Sequence, residues 1–225
     1  MADGRSRIAW GKLALEALVL VVSVYLAIVL EGFSDERARH REAVEALRTL
    51  RAELALDGRD LEVVMAAQRD RHLRHRRIDR WLDDPDTAPT DSLAADFRAL
   101  FSENRTMFPR SASWTTMVAS GQLNDLNDPG LVSDLADFYE NRNARLEYNG
   151  RLYDEWVTEV ARGGLPVVWD QASGRFLTRD RTEIDRLRGR LVGTADLGQG
   201  FYGLLEEWSV ALESLTAGVD AYLAR

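Results

Sequence analysis

The apolar residues of the 225-residue chain change their spacing along its length. From Ile8 to Leu30 they are nearly continuous, 23 residues in which Lys12 and Glu16 are the only charges. At about 1.5 Å per helical residue, that length crosses a hydrocarbon core of roughly 30 Å. Further on, the apolar positions thin to a helical period. Leu47, Leu50, Leu54, Leu61 and Val64 fall on alternating steps of three and four, with Asp57 in the one position skipped, so one stripe faces a partner. No proline stands between Leu30 and Trp81, and only Gly32 and Gly58 offer an easy bend, which predicts that the apolar segment runs on into a long helix.

The stretch "DDPDTAPTD", residues 83–91, ends that helix with two prolines among residues that cap and turn. A helix restarts near Ser92, and another covers "SASWTTMVAS" before Gly121, which suits a helix C-terminus needing positive φ. Asp128 can cap the next helix while Pro129 takes its first position, where the missing N–H costs nothing. That helix is expected from about Gly130 to Ala161, with a seam of Leu131, Leu135, Phe138, Arg142, Leu146, Asn149, Tyr153, Trp156 and Val160. Residues 163–180 lose the helical period, and their short apolar runs fit either a hairpin or an ordered loop. Helix returns near Thr182. Phe201, Leu205, Trp208, Leu212, Leu215, Val219 and Tyr222 then alternate four and three without a miss, as in a coiled coil or a bundle helix.

The expected fold is therefore all-α: a tail (1–7), a transmembrane helix (8–30), a long connecting helix (31–82), a break (83–91) and a helical bundle (92–225) with an irregular or hairpin segment near 163–180. An uncleaved anchor fits better than a signal peptide, because "EGFSDERARH" follows the apolar run instead of a small-x-small cleavage site. Trp10 lies where an interfacial aromatic belongs. Arg5, Arg7 and Lys12 on one flank balance Arg37, Arg39 and Arg41 on the other, and their closeness to the span favours a cytoplasmic amino terminus with the large domain outside.

Net charge changes the picture little. At −8, with a pI near 5.0, the chain has no general attraction for nucleic acid, although a local basic patch acts on its own. The absence of cysteine removes disulfides, thiolate nucleophiles and cysteine metal sites together.

"VSVYLAIVLEGFSDERARHREAVEALRTLRAEL" followed by "WTTMVASGQLNDLNDPGLVSDLADFYE" resembles a bacterial family of small single-pass membrane proteins known only as a domain of unknown function. The resemblance covers roughly residues 17–161 and rests on Ser120, Gly121 and Leu123, then Leu131, Leu135, Phe138 and Tyr139. The chain departs from it at "EGFSDER", where the family has an asparagine- and tryptophan-rich turn. The resemblance implies a helical fold and a membrane location and carries over no catalytic residue; the expected location is a bacterial inner membrane.

Candidate chemistry is sparse. His72 and His75, with Asp79, have the helical spacing of metal ligands, but the arginines around them oppose a divalent cation. Those arginines, Arg69, Arg71, Arg74, Arg76, Arg77 and Arg80, form either a solvated helix face or a contact for anions such as phosphate. They begin 39 residues beyond Leu30, about 60 Å along an unbroken helix, and so reach lipid only if the helix folds back. Asp125, Asn127, Asp128 and Asp134 lack the spacing of a calcium loop, and Ser111, Ser113 and Ser120 have no histidine near them in sequence. No metal, cofactor or catalytic residue is assigned.

Within the anchor, Lys12, Glu16, Ser23, Ala27 and Glu31 share one side, interrupted by Leu20, with Leu15, Leu18, Val22, Leu26 and Val29 opposite. Such a polar and small stripe suits another membrane helix, from a second copy or a second membrane protein. The competing reading is that Lys12 and Glu16, one turn apart, pair with each other. The expected function is a non-enzymatic, membrane-anchored scaffold, sensor or accessory subunit. The alternatives are an ion-conducting or ion-sensing oligomer with Glu16 facing the path, and more remotely an anchored hydrolase.

Overall fold

The structure, a computed structural model, describes residues 4–102 and 106–225, with side chains from Lys12 onward except those of Ala27 and Ser102. One helix, α1 (Gly4–Asp83), carries the chain from the apolar segment to the first break. At 1.5 Å per residue its 80 residues span about 120 Å. The chain has no proline before Pro85, so the i→i−4 hydrogen-bond ladder meets no residue that must interrupt it.

The two parts of α1 face different surroundings. Leu13, Leu18, Val21, Tyr25, Ile28 and Phe33 are all more than half exposed, and no other part of the described chain covers them. From Ala43 onward one face turns inward: Ala43, Leu47, Leu50, Leu54, Asp57, Leu61, Val64, Gln68, Arg71, His75, Ile78 and Leu82 are buried. The steps between them alternate four and three throughout, the seam of a helix in a left-handed bundle.

Three further limbs pack on this spine in alternating directions, an up-down-up-down arrangement. The first is broken. It comprises α2 (Thr90–Ser102), an extended stretch near Arg110, and α3 (Ala112–Ser120), which ends at Gly121 with φ 74. A 3₁₀ turn (Gln122–Leu126) then brings the Asp125 carbonyl to His40 Nδ1 at 2.7 Å, near the start of the buried seam. The second limb runs from α4 (Pro129–Ala136) through a π turn (Asp137–Asn143) to α5 (Ala144–Glu159), a second π turn (Val160–Gly164) and α6 (Leu165–Val168). A two-stranded antiparallel hairpin, β1 (Trp169–Asp170) and β2 (Arg175–Phe176), pairs Trp169 with Phe176. The last limb, α7 (Arg181–Leu223), returns antiparallel to α1. Arg51 Nε donates to Asp220 at 2.7 Å, Arg69 Nε to Tyr202 at 2.6 Å, and Arg188 Nε to Asp79 at 2.6 Å, fixing the register along its length.

Much of the expected organisation is found. Asp128 accepts from the Leu131 N–H at 3.1 Å with Pro129 first in α4, and the 163–180 segment contains the hairpin. Two expectations are corrected. The helix does not stop at Ala161: it continues to Val168, and the wide π turn at 160–164 accommodates Pro166, whose ring and missing N–H would break a regular α turn. The α5 seam is also displaced. The first π turn adds one residue, lets the consecutive Phe138 and Tyr139 both enter the core, and buries Asn143, Gly150 and Val157 where Arg142, Asn149 and Trp156 were expected. Arg142 instead turns outward and pairs with Asp137, five residues back, at 2.7 Å.

Asp57 occupies an apolar seam position with none of its surface exposed. A carboxylate so placed loses several kcal/mol of hydration, which must be offset by partners. Arg110 supplies them: its Nη1 donates to Asp57 at 2.6 Å and its backbone N–H at 3.1 Å, locking the extended stretch between α2 and α3 to the spine. Asp57→Ala removes the acceptor for that N–H and is predicted to destabilise the bundle by about 1–3 kcal/mol, read as a lower Tm in far-ultraviolet circular dichroism of the detergent-solubilised chain. An unchanged Tm contradicts this role.

Candidate functional site

The sequence singles out two groups of residues, and the structure treats them differently. Along the apolar part of α1, Lys12 Nζ lies 3.9 Å from Glu16 Oε1, with both side chains well exposed. Ser23 Oγ donates to the Val19 carbonyl at 2.7 Å, inside its own helix. Glu31 is exposed, and Ala27 lies outside the described side chains. No other segment of the described chain is brought against this stripe. The segment is long and apolar enough to cross a membrane, by length and composition.

The arginine group is divided by the bundle's geometry. Arg74 Nη1 and both Nε and Nη2 of Arg77 converge at 2.8 Å on Asp96, a nearly buried carboxylate of α2. Arg74 also holds Asp70 at 2.6 Å. Asp70 raises the pKa of Arg74, and Asp96 that of Arg77. Arg76 and Arg80 remain on the surface. Arg69 bonds the Tyr202 hydroxyl, and its guanidinium lies 5.5 Å from the centre of that ring. Arg71 points inward, buried, 5.2 Å from the centre of the Tyr153 ring. Because α1 is a single helix, this group stands about 60 Å from Leu30 and does not fold back toward the apolar segment.

Arg71 belongs to a polar layer set between two apolar clusters. One cluster takes α1 residues up to Val64, α7 residues from Phe201 onward and Val157 of α5. The other takes Ile78 and Leu82, α7 residues back to Leu191, and Val160. Between them lie Gln68, Arg71 and His75 on α1 and Thr194 and Gly198 on α7, with Tyr153 of the first cluster at the edge. The α7 side is small where the α1 side is polar. A Cβ on Gly198 would stand 3.1 Å from the Tyr153 hydroxyl, so only glycine leaves that ring its place.

Two adjoining cavities open here. The inner one, about 390 Å³, is lined by Gln68, Arg69, Arg71, His75, Tyr153, Tyr202 and neighbouring residues, with no carboxylate among the described residues of its wall. The outer one, about 630 Å³, shares His72, Leu73, His75 and Ala195 with it and adds Arg76, Arg77, Arg80 and Arg188 against one carboxylate, Asp79. His75 is 7% exposed, and its Nε2 makes no hydrogen bond among the described residues. Burial, aided by the positive charges of Arg71 and His72, pushes its pKa down from the ordinary 6.5 to about 4. Burial also raises that of Tyr153.

The remaining sequence candidates have structural employment. Asp128 caps α4 and pairs with Arg225 at 2.9 Å, Asn127 makes a left-handed turn at φ 55, and Ser120 donates to the Thr116 carbonyl at 2.8 Å. His72 is exposed one turn from His75. Among the described residues, no group of three histidine, aspartate or glutamate side chains is placed to hold a metal.

Gln68 and His75 were missed as seam positions by the sequence reading, although the signal was present. The four-three spacing followed from Leu47 to Val64 continues without a break through positions 68, 71, 75, 78 and 82. A single polar position, Asp57, leaves the apolar trace intact, whereas three in succession, at 68, 71 and 75, interrupt it.

A family described as of unknown function, DUF6090, matches residues 16–166, from within the apolar segment to the start of α6. The match includes Arg71, His75 and Tyr153, and ends before α7. No curated protein and no solved structure matches the chain.

His75 provides a pH test of the layer. Its folded pKa lies below the unfolded one, so between pH 6.5 and 4 the unfolded chain takes up the proton first. Its contribution to stability is complete above 6.5 and falls by about 3 kcal/mol as pH drops through that window. His75→Met is predicted to lose about 2 kcal/mol less stability than the wild type when Tm is followed from pH 7 to 4.5. Identical acid profiles contradict burial of a neutral imidazole.

Proposed function

The chain belongs to this family of unknown function, and we propose that it is a non-enzymatic, single-pass membrane protein that holds a helical bundle at a fixed height above the bilayer as an accessory or scaffold subunit. The observation that carries this reading is the division of α1. Its segment from Lys12 to Phe33 is apolar, exposed and uncovered by the chain, while the same helix from Ala43 onward is the spine of a packed core. Exposed leucine and valine over that length oppose solubility in water and favour hydrocarbon, at about 25 cal/mol per Å². In this reading the amino terminus is cytoplasmic and the bundle lies on the other face of a bacterial inner membrane.

The arrangement also favours assembly of the anchors. An ion pair at 3.9 Å between open side chains is poorly compensated against lipid, and a second helix laid along Lys12, Glu16 and Ser23 relieves it. The partner is a second copy of this chain or another membrane protein.

Two measurements test this reading. The full chain is expected to remain in membranes through alkaline carbonate extraction, and a chain lacking residues 1–34 to be soluble with the bundle's helicity intact, because burial begins only near Ala43. Extraction of the full chain, or membrane retention of the shortened one, removes the anchor. In mild detergent, light scattering should give more than one chain per particle, and Glu16→Leu should change that number. A monomer indifferent to the substitution refutes assembly through this stripe.

A further inference from the structure

We propose that the outward face of α1, from Leu56 to Leu73, docks a second copy of this chain running antiparallel, so that two anchored copies bridge two facing bilayers. The pairing follows from the face itself, and the bridging rests on the reading of Lys12–Phe33 as an anchor.

The first observation is a second seam. Leu56, Arg59, Val63, Ala66, Asp70 and Leu73 are spaced alternately by three and four residues, as the buried seam is, but they lie on the opposite side of α1 and all are exposed. Among the described residues, the three large apolar side chains that α1 leaves exposed between Ala43 and Asp83 are Leu56, Val63 and Leu73, and all fall on this one line. A solvated face has no need of that spacing, whereas a helix laid along it does.

The second is charge complementarity, which selects the occupant and its direction. Reversed about a point between residues 64 and 65, the line maps onto itself: Leu56 of one copy meets Leu73 of the other, Val63 meets Ala66, and Arg59 meets Asp70. At the flank, Glu62 of one copy comes beside Arg69 of the other. Asp70 holds Arg74 through Oδ2 and is half exposed, so its carboxylate is open to a second guanidinium. Parallel copies would instead set Arg59 on Arg59, Asp70 on Asp70 and Arg69 beside Arg74, like charges at every polar level. Two chains standing side by side in one membrane are parallel, so this face is not completed by such a neighbour.

The third is size and position. The face is about 27 Å long and one helix wide, smaller than the roughly 800 Å² per partner of a permanent complex. Single pairs are therefore weak, and many copies on each surface make the contact effective. The centre of the pairing stands about 52 Å beyond Leu30 on an unbroken helix, which sets the two hydrocarbon surfaces roughly 100 Å apart.

The absence of cysteine allows a direct test on the full chain in mild detergent. Leu56→Cys and Leu73→Cys chains are prepared separately, mixed and treated with a short bifunctional thiol crosslinker. The mixture should give a crosslinked dimer, and either variant alone should not, because its own two thiols stand about 25 Å apart in the antiparallel pair. Arg59→Glu in both chains should lower the mixed yield about fivefold or more without changing the Tm, and adding Asp70→Arg should restore it. Crosslinking of each variant with itself shows parallel pairing and overturns the proposal. So does a mixture that gives no dimer, or a yield indifferent to Arg59→Glu. Phosphatidylcholine vesicles carrying many copies of the full chain should cluster, with facing bilayers about 100 Å apart in electron cryomicroscopy, and those carrying Arg59→Glu should stay dispersed. Dispersed wild-type vesicles overturn the bridging. A chain that leaves the vesicles removes the anchor and the bridging with it, whereas the crosslinking reads the pairing alone.

Discussion

Twelve positions from Ala43 to Leu82, spaced alternately by four and three residues, turn one face of a single helix inward, and the other three limbs are registered against it. The paired residues follow from that constraint. Arg51 with Asp220, Arg69 with Tyr202 and Arg188 with Asp79 lie at successive levels of two antiparallel helices. Each exposed pair among them contributes at most about 1 kcal/mol. The buried leucines and aromatics of the seams contribute about 1.5–3 kcal/mol each and hold the bundle.

Polar residues interrupt the seam at two levels, with different consequences. At Asp57 the interruption is closed: the carboxylate is bound by the backbone and side chain of Arg110. At Gln68, Arg71 and His75 it borders a cavity, and among the described residues His75 Nε2 has no hydrogen-bond partner. A purely structural polar layer tends toward the first condition, because unmet buried groups oppose folding.

Sequence spacing disclosed the long helix, the break at its end, the capping of α4 by Asp128 and Pro129, and the seam of α7, because each depends on residues close together in the chain. The π turns were not legible. The first accompanies Phe138 packed at a tilt on Trp208 and Tyr139 stacked on Trp114, contacts 70 and 25 residues apart that local periodicity cannot register. The arginine group was visible as charge but not as a divided set. What sorts it is Asp96, which lies on another helix and draws Arg74 and Arg77 away while leaving Arg71 inside. His75 was legible in principle, by counting the heptad through its polar positions, and only its neighbours across the layer required the fold.

The account rests on α1 as one rigid strut joining a hydrocarbon-compatible segment to a packed bundle. The absence of cysteine allows spin labels to be placed without background, at Ser34→Cys and Leu73→Cys, both exposed positions of that helix. Pulsed dipolar spectroscopy of the doubly labelled full chain in lipid nanodiscs measures the separation directly. A continuous helix predicts a narrow distribution centred near ~58 Å. A broad distribution, or one centred well below that distance, contradicts the strut.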